Sequence, residues 1–370
     1  MISLADPVLC EEEKAALCSV IESGWLTMGE RVAAFERAFA ELHGAENAVA
    51  VNSCTAGLHL CLAALGIGPG DEVLAPALTF VATINAILYV GAAPVFVDIE
   101  TEDLPHISLR DAEAKRTPKT RAAMIMHYGG YMADTVGWRS FCDAHRLKLI
   151  EDAAHAPAVK GVARLGDASA FSFFTNKNMT TAEGGMVLAG DPEVLEKTRR
   201  MRSHGMTTGT LDRHRGHAYS YDVTVIGYNY RMDELRAAMG LVQLARLPGW
   251  NARRRELSSL YRRRFSERLP QVSIPFSDEH ESAAHLMPVL LPQRADREQI
   301  MVKLREAAIQ SSIHYPPVHG FSYFRRRFPG VTLPNTDKFS SRELTLPLHP
   351  SLSDDDVDFV VQTLKKAIER

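Results

Sequence analysis

Between residues 46 and 190 the chain alternates short apolar runs with longer stretches of helical period. Residues 48–51, 72–75, 94–97, 122–126 and 148–151 are mostly apolar and lack polar alternation, which predicts strands buried on both faces. Residues 56–65 and 133–145 repeat apolar positions three and four apart and predict helices between those strands. Strand–helix alternation of this kind predicts an α/β fold, a mostly parallel central sheet covered by helices. Ligands of such sheets bind beyond the carboxyl ends of the strands.

The pattern changes after a predicted helix over 232–247. Pro248-Gly249-Trp250 reads as a turn and a hinge. Beyond it lie a basic helix over 251–269, a strand over 286–291 and a helix over 296–307. A closing helix over 354–370 starts behind Ser353, a side chain suited to an N-cap. The expected division is a large domain over 1–247 and a smaller α+β C-terminal domain over 248–370. No internal repeat or low-complexity linker interrupts it.

Composition narrows the class. The 370 residues are 46% hydrophobic and 24% charged, enough for two filled cores. A net charge of -3 gives no field to recruit nucleic acid or an anionic membrane, and Arg325-Arg326-Arg327 reads as a solvated face. No run is long and apolar enough to span a bilayer, and the first residues lack the basic and apolar regions of a signal peptide. Cys10, Cys18, Cys54, Cys61 and Cys142 form no close-spaced metal knuckle and read as reduced thiols of a cytoplasmic protein.

Candidate chemistry sits where predicted strands give way to loops. NSCTAGLHL (52–60) opens a helix with small hydroxyl residues, whose free N–H groups suit a phosphate, although such residues also serve as plain caps. LIEDAAHA (149–156) brings Asp152 to the sheet edge, with His155 after it. FSFFTNKNMTTAEGGMV (171–187) holds Lys177 in a polar loop, with Gly184-Gly185 read as a tight turn. APALTFVAT places Phe80 after another strand. Singly, each has a bland reading: a cap, a packed histidine, a surface lysine, a core ring. Together they form the set that pyridoxal 5'-phosphate (PLP) requires: a lysine for its aldehyde, an anion site, a carboxylate for its ring nitrogen and a flat group over its ring.

These segments, with GIGPGDEV, PVFVDI and GYNYRMDE in the same order, resemble the DegT/DnrJ/EryC1/StrS sugar aminotransferases, a branch of the fold-type I PLP-dependent transferases. The resemblance runs from GWLTMGERV at 24 to TLPLHP at 350. It implies that Lys177 carries the cofactor and shuttles the substrate proton, that Asp152 pairs with the ring nitrogen and that Phe80 stacks on the ring. It further implies that Thr55, Ala56 and Ser172 hold the phosphate, and that Asn229 reaches it from the other subunit of a homodimer. His155 stands where the family more often has glutamine, near the ring hydroxyl. That exchange, with MHYGGYMAD and the segment 325–350, is similar to the subgroup acting on nucleotide-linked 4-keto sugars. Cys54 replaces a usual glycine.

The implied reaction is ping-pong transfer from L-glutamate to a dTDP- or UDP-linked keto sugar, at C4 or alternatively at C3. The Trp25–Gly29 loop and IHYPPVHGF (313–321) are expected to line the sugar-nucleotide cleft. A PLP sugar dehydratase of this fold would carry histidine in place of Lys177. The one glycine cluster, Gly66-Ile67-Gly68-Pro69-Gly70, precedes a strand and lacks the G-x-G-x-x-G spacing of a dinucleotide site, so it reads as a helix-ending turn.

Overall fold

A computed structural model describes residues 1–207 and 221–369. Seven strands form the central sheet: β1 Val49–Val51, β2 Glu72–Pro76, β3 Ala93–Val97, β4 Thr120–Met126, β5 Lys148–Asp152, β6 Ala168–Ser172 and β7 Gly185–Leu188. Their order is β1-β7-β6-β5-β4-β2-β3. Only β7 runs against its neighbours, β1 and β6; the other pairings are parallel. The five runs expected as strands are all strands of this sheet.

Apolar residues alternate between two cores along each strand. Val73 and Ala75 enter one core while Leu74 enters another, and Met124 parts in the same way from Ala123 and Ile125. A sheet clothed on both faces therefore needs no polar alternation. Helix α3 (Cys54–Ala64) follows β1 directly, with Ser53 as N-cap accepting from the Ala56 N–H. A Cβ on Gly57 would stand 3.2 Å from both Ala170 and Val187, so α3 lies directly on β6 and β7. After α3, Gly66 and Gly70 adopt φ of 78° and 92°, which makes the glycine cluster the expected helix-ending turn.

One expectation fails. Residues 248–250 form no turn; a single helix of 35 residues, Glu234–Arg268, passes straight through Pro248. The two helices expected over 232–247 and 251–269 are its halves. Proline removes one N–H donor, but burial on both sides outweighs that loss. Leu244 and Leu247 lie in one core, and Leu257, Leu260 and Tyr261 in the next. Asp233 caps the start through the Arg236 N–H.

The second core contains the antiparallel pair β8 (Met287–Leu290) and β9 (Glu343–Leu346), the helix Arg297–Glu306 and the closing helix Asp354–Ile368. Ser353 caps that last helix as expected, in a reciprocal box with Asp356. Among the described residues no helix is long and apolar enough to cross a membrane.

Candidate active site

The loops that follow β1, β2, β5 and β6 meet over a single cavity of about 390 Å3. Its wall holds Thr55, Phe80, Asp152, His155, Ser172 and Lys177, which join six of the eight residues singled out by sequence. Because all four strands run the same way, their carboxyl ends deliver these residues to one edge of the sheet.

Asp152 ends β5 and is 3% exposed. It accepts from Thr83 Oγ1 at 2.7 Å and from the Ala154 N–H at 3.1 Å. Burial pushes its carboxyl up, and those two donors pull it back down. Asp152 makes no salt bridge among the described residues. Lys177 nearby favours its charged form without contacting it, and a buried carboxylate left without a salt bridge suits a protonated ring nitrogen. Thr83 was not singled out by sequence, although it lies three residues after Phe80, on the first turn of helix α4 (Val81–Tyr89).

Lys177 lies in the β6–β7 loop, its N–H donating to the Phe174 carbonyl at 2.9 Å. Burial lowers its amine from the ordinary 10.5 to about 8. The amide of the adjacent Asn178 is spent on buried partners. It donates to Asn251 Oδ1 and the Ala283 carbonyl, each at 2.8 Å, and accepts from His285 Nδ1 at 2.9 Å. Asn251 belongs to the long helix, so the lysine loop is fastened to elements far along the chain.

At the anion end, Cys54 and Thr55 occupy the first two positions of α3, whose N–H groups lack intrahelical acceptors. Ala56 differs from its expected role: its N–H is taken by Ser53 Oγ at 3.1 Å, and it does not line the cavity. Gly185 serves proximity rather than a tight turn, because its φ is not positive. A Cβ there would meet Cys54 N at 2.7 Å and the Phe171 carbonyl oxygen at 2.8 Å. Only glycine lets β7 come this close to the start of α3. Burial holds the Cys54 thiol well above its usual range, so it is neutral.

Phe80 is 55% exposed, which removes the core-packing reading. Its ring faces the cavity 6.0 Å from that of Tyr315. His155 is buried, and burial lowers it well below the ordinary histidine range, so the ring is neutral. Its Nδ1 accepts from the Gly129 N–H at 3.3 Å, and Nε2 lies 2.9 Å from Tyr315 Oη. Gly129 and Gly130 adopt φ of 66° and 89°, and a Cβ on Gly130 would stand 2.8 Å from the His155 carbonyl oxygen. The glycines of MHYGGYMAD are therefore the turn that presents an N–H to this histidine.

The segment 313–321 reaches the cavity through His314 and Tyr315, whereas Trp25–Gly29 does not line it. That loop is held instead by Glu234, whose carboxylate accepts from the N–H groups of Gly29, Arg31 and Val32 at 2.8 to 2.9 Å. Asn229 is exposed and stands outside this cavity. Glu183 and Asn176 also line the cavity.

The site fits PLP by its own chemistry: an anion cradle, a buried carboxylate with no salt bridge among the described residues, a lysine with a lowered amine and an exposed ring share one cavity. Comparisons with known proteins agree. The model of the DegT/DnrJ/EryC1/StrS aminotransferase family matches residues 7–365. The spore coat polysaccharide biosynthesis protein SpsC of Bacillus subtilis (strain 168) is 39% identical over 375 residues, covering 98% of this chain and 96% of that protein. Helicobacter pylori PseC, an aminotransferase involved in the biosynthesis of pseudoaminic acid, superposes with a TM-score of 0.92 at 30% identity, covering 100% and 99% of the two chains. The PLP form of Spr1654 of Streptococcus pneumoniae gives 0.90 at 29% identity, covering 99% and 98%.

Proposed function

Because the chain belongs to the DegT/DnrJ/EryC1/StrS aminotransferase family and is a PLP-dependent sugar aminotransferase, we propose that it moves the amino group of L-glutamate to C4 of a dTDP- or UDP-linked keto sugar. The convergence of Lys177, Asp152, Phe80 and the start of α3 on one cavity carries this reading. The bound cofactor supplies the electron sink and carries nitrogen between the two substrates.

The chain's own residues do the rest. The N–H groups of Cys54 and Thr55, with Ser172, hold the phosphate. Asp152 keeps the ring nitrogen protonated, and Phe80 covers one face. Lys177 holds the cofactor at rest and, once released, takes the proton from the donor carbon and returns it to the sugar carbon. An amine lowered to about 8 has a sizeable neutral fraction near neutral pH, as a base requires. His155, neutral and hydrogen-bonded at both nitrogens, fixes the ring-hydroxyl side, and this histidine supports the 4-keto choice over C3.

We read the protein as a cytoplasmic homodimer with shared sites, divided into a PLP-binding unit over 1–247 and a smaller unit over 248–370. Asn229 is exposed and follows a run in which Tyr221, Val223 and Ile226 are 59%, 55% and 82% exposed. Exposed apolar side chains this close in sequence to Asn229 are suited to contact with a second copy. Mixing Asn229→Ala with Lys177→Ala chains should restore up to about a quarter of the activity, since random pairing leaves one intact site in the mixed dimer. No recovery after proven subunit exchange would assign each site to one chain. SpsC is a spore coat polysaccharide biosynthesis protein and PseC takes part in the biosynthesis of pseudoaminic acid, and for this chain a role in aminosugar biosynthesis is proposed.

The primary test is the visible spectrum of the PLP-loaded protein before and after L-glutamate. A yellow band that converts to the pyridoxamine form supports the donor assignment. A band that ignores glutamate refutes glutamate as donor.

A further inference from the structure

Lys177 can move protons at carbon, yet exchanging a carbonyl oxygen for nitrogen also requires proton movement at oxygen. The cavity wall offers a group for that work. Tyr315 lines the cavity, and its hydroxyl lies 2.9 Å from His155 Nε2. The direction of that hydrogen bond follows from the other side of the imidazole. Nδ1 accepts from the Gly129 N–H, so a neutral ring carries its hydrogen on Nε2 and donates it to Tyr315 Oη. The phenolic hydrogen is then turned away from His155, and Tyr315 Oη has no other partner among the described residues.

The backbone around Tyr315 is fixed from three directions. Ser340 Oγ donates to its carbonyl at 2.7 Å, the His314 N–H donates to Glu343 at 2.8 Å, and Tyr128 Oη donates to the His314 carbonyl. Burial raises the Tyr315 phenol above its ordinary range, which keeps it protonated at rest.

We propose that Tyr315, aimed by His155, is a second proton-transfer residue, serving the oxygen of donor and acceptor while Lys177 serves the carbon. The proposal rests on the aminotransferase reading above. When the amine adds to the sugar ketone, the carbon–oxygen bonds break, water leaves and nitrogen takes the carbon. Nitrogen loses two protons and oxygen gains two. Tyr315 relays both, one after the other, each time giving its hydrogen to the oxygen and recovering one from the nitrogen, so neither net charge nor electrons change. Release of 2-oxoglutarate from the donor side is the same exchange reversed, with water consumed.

The two roles separate with L-[2-2H]glutamate and the PLP-loaded enzyme. Deuterium washout into water reports Lys177, and 2-oxoglutarate release reports the oxygen step. Tyr315→Phe should keep washout within about threefold of wild type while slowing release about 100-fold, the usual scale of a general acid–base contribution. Its PLP dissociation constant should stay within about twofold. Release at the wild-type rate overturns the proposal, and so does equal slowing of washout and release, which marks a structural role. Wild-type enzyme showing neither washout nor release overturns the glutamate reading and this proposal with it. In the cofactor-free protein, 15N-histidine spectra should show His155 as the Nε2–H tautomer; an Nδ1–H signal removes the donor that aims the tyrosine and refutes the assignment.

Discussion

Replacing Lys177 with methionine should destroy activity and at the same time stabilise the cofactor-free protein. Burial holds the amine at about 8 against an ordinary 10.5, so protonated Lys177 costs the folded state about 3 kcal/mol at pH 7. Part of this returns as a loss when Asp152 is deprived of the nearby cation that favours its charged form. A net gain of about 2 kcal/mol is expected, with the methionine covering much of the same volume. The folded pKa lies below the unfolded one, so the folded state binds fewer protons between about 8 and 10.5. Wild-type stability therefore rises with pH through that window, and the advantage of Lys177→Met, full below pH 8, fades across it. Urea midpoints of both cofactor-free proteins, taken at pH 7 and pH 10 and one protein concentration, measure this. A variant less stable than wild type at pH 7, or a gain that ignores pH, refutes the claim that the lysine amine is held under desolvation strain.

Two further substitutions probe the walls. Thr83→Val removes a donor to the charged form of Asp152, so the carboxyl pKa should rise and the acid limb of the kcat/KM profile move to higher pH; an unmoved limb breaks the assigned link. Gly185→Ala drives a Cβ against Cys54 N and the Phe171 carbonyl, and should lower stability by about 1–3 kcal/mol with loss of PLP retention; calorimetry and dialysis that match wild type would show that the approach of β7 to α3 is not tight.

Much of this was legible in the sequence because it is local. Strands buried on both faces announce themselves as unbroken apolar runs, and Lys177, Asp152, Phe80 and Thr55 sit where those runs stop. What escaped depends on distance along the chain. Tyr315 meets His155 across 160 residues, and Thr83 reaches Asp152 across 69. No spacing rule links such pairs: the parallel sheet brings the β2 and β5 ends together for Thr83 and Asp152, and Tyr315 comes in on a segment tied to Ser340 and Glu343. Pro248-Gly249 misled for a different reason. Local preference there opposes helix, and burial of Leu247 on one side and Asn251 and Leu257 on the other overrules it. Gly185 also carried an ambiguous signal, since a glycine needed for proximity and one needed for a turn are written with the same letter.

The unbroken helix Glu234–Arg268 has a geometric consequence. At 100° per residue it fixes the angular phase between Glu234, which gathers the N–H groups of Gly29, Arg31 and Val32, and Asn251, which holds the amide beside Lys177. The two side chains behave like teeth cut on one shaft. One residue inserted between them would rotate the second by about 100° and carry it about 1.5 Å along the axis. Either contact then survives only at the expense of the other, so between these two positions the helix tolerates exchange of residues and not a change in their number.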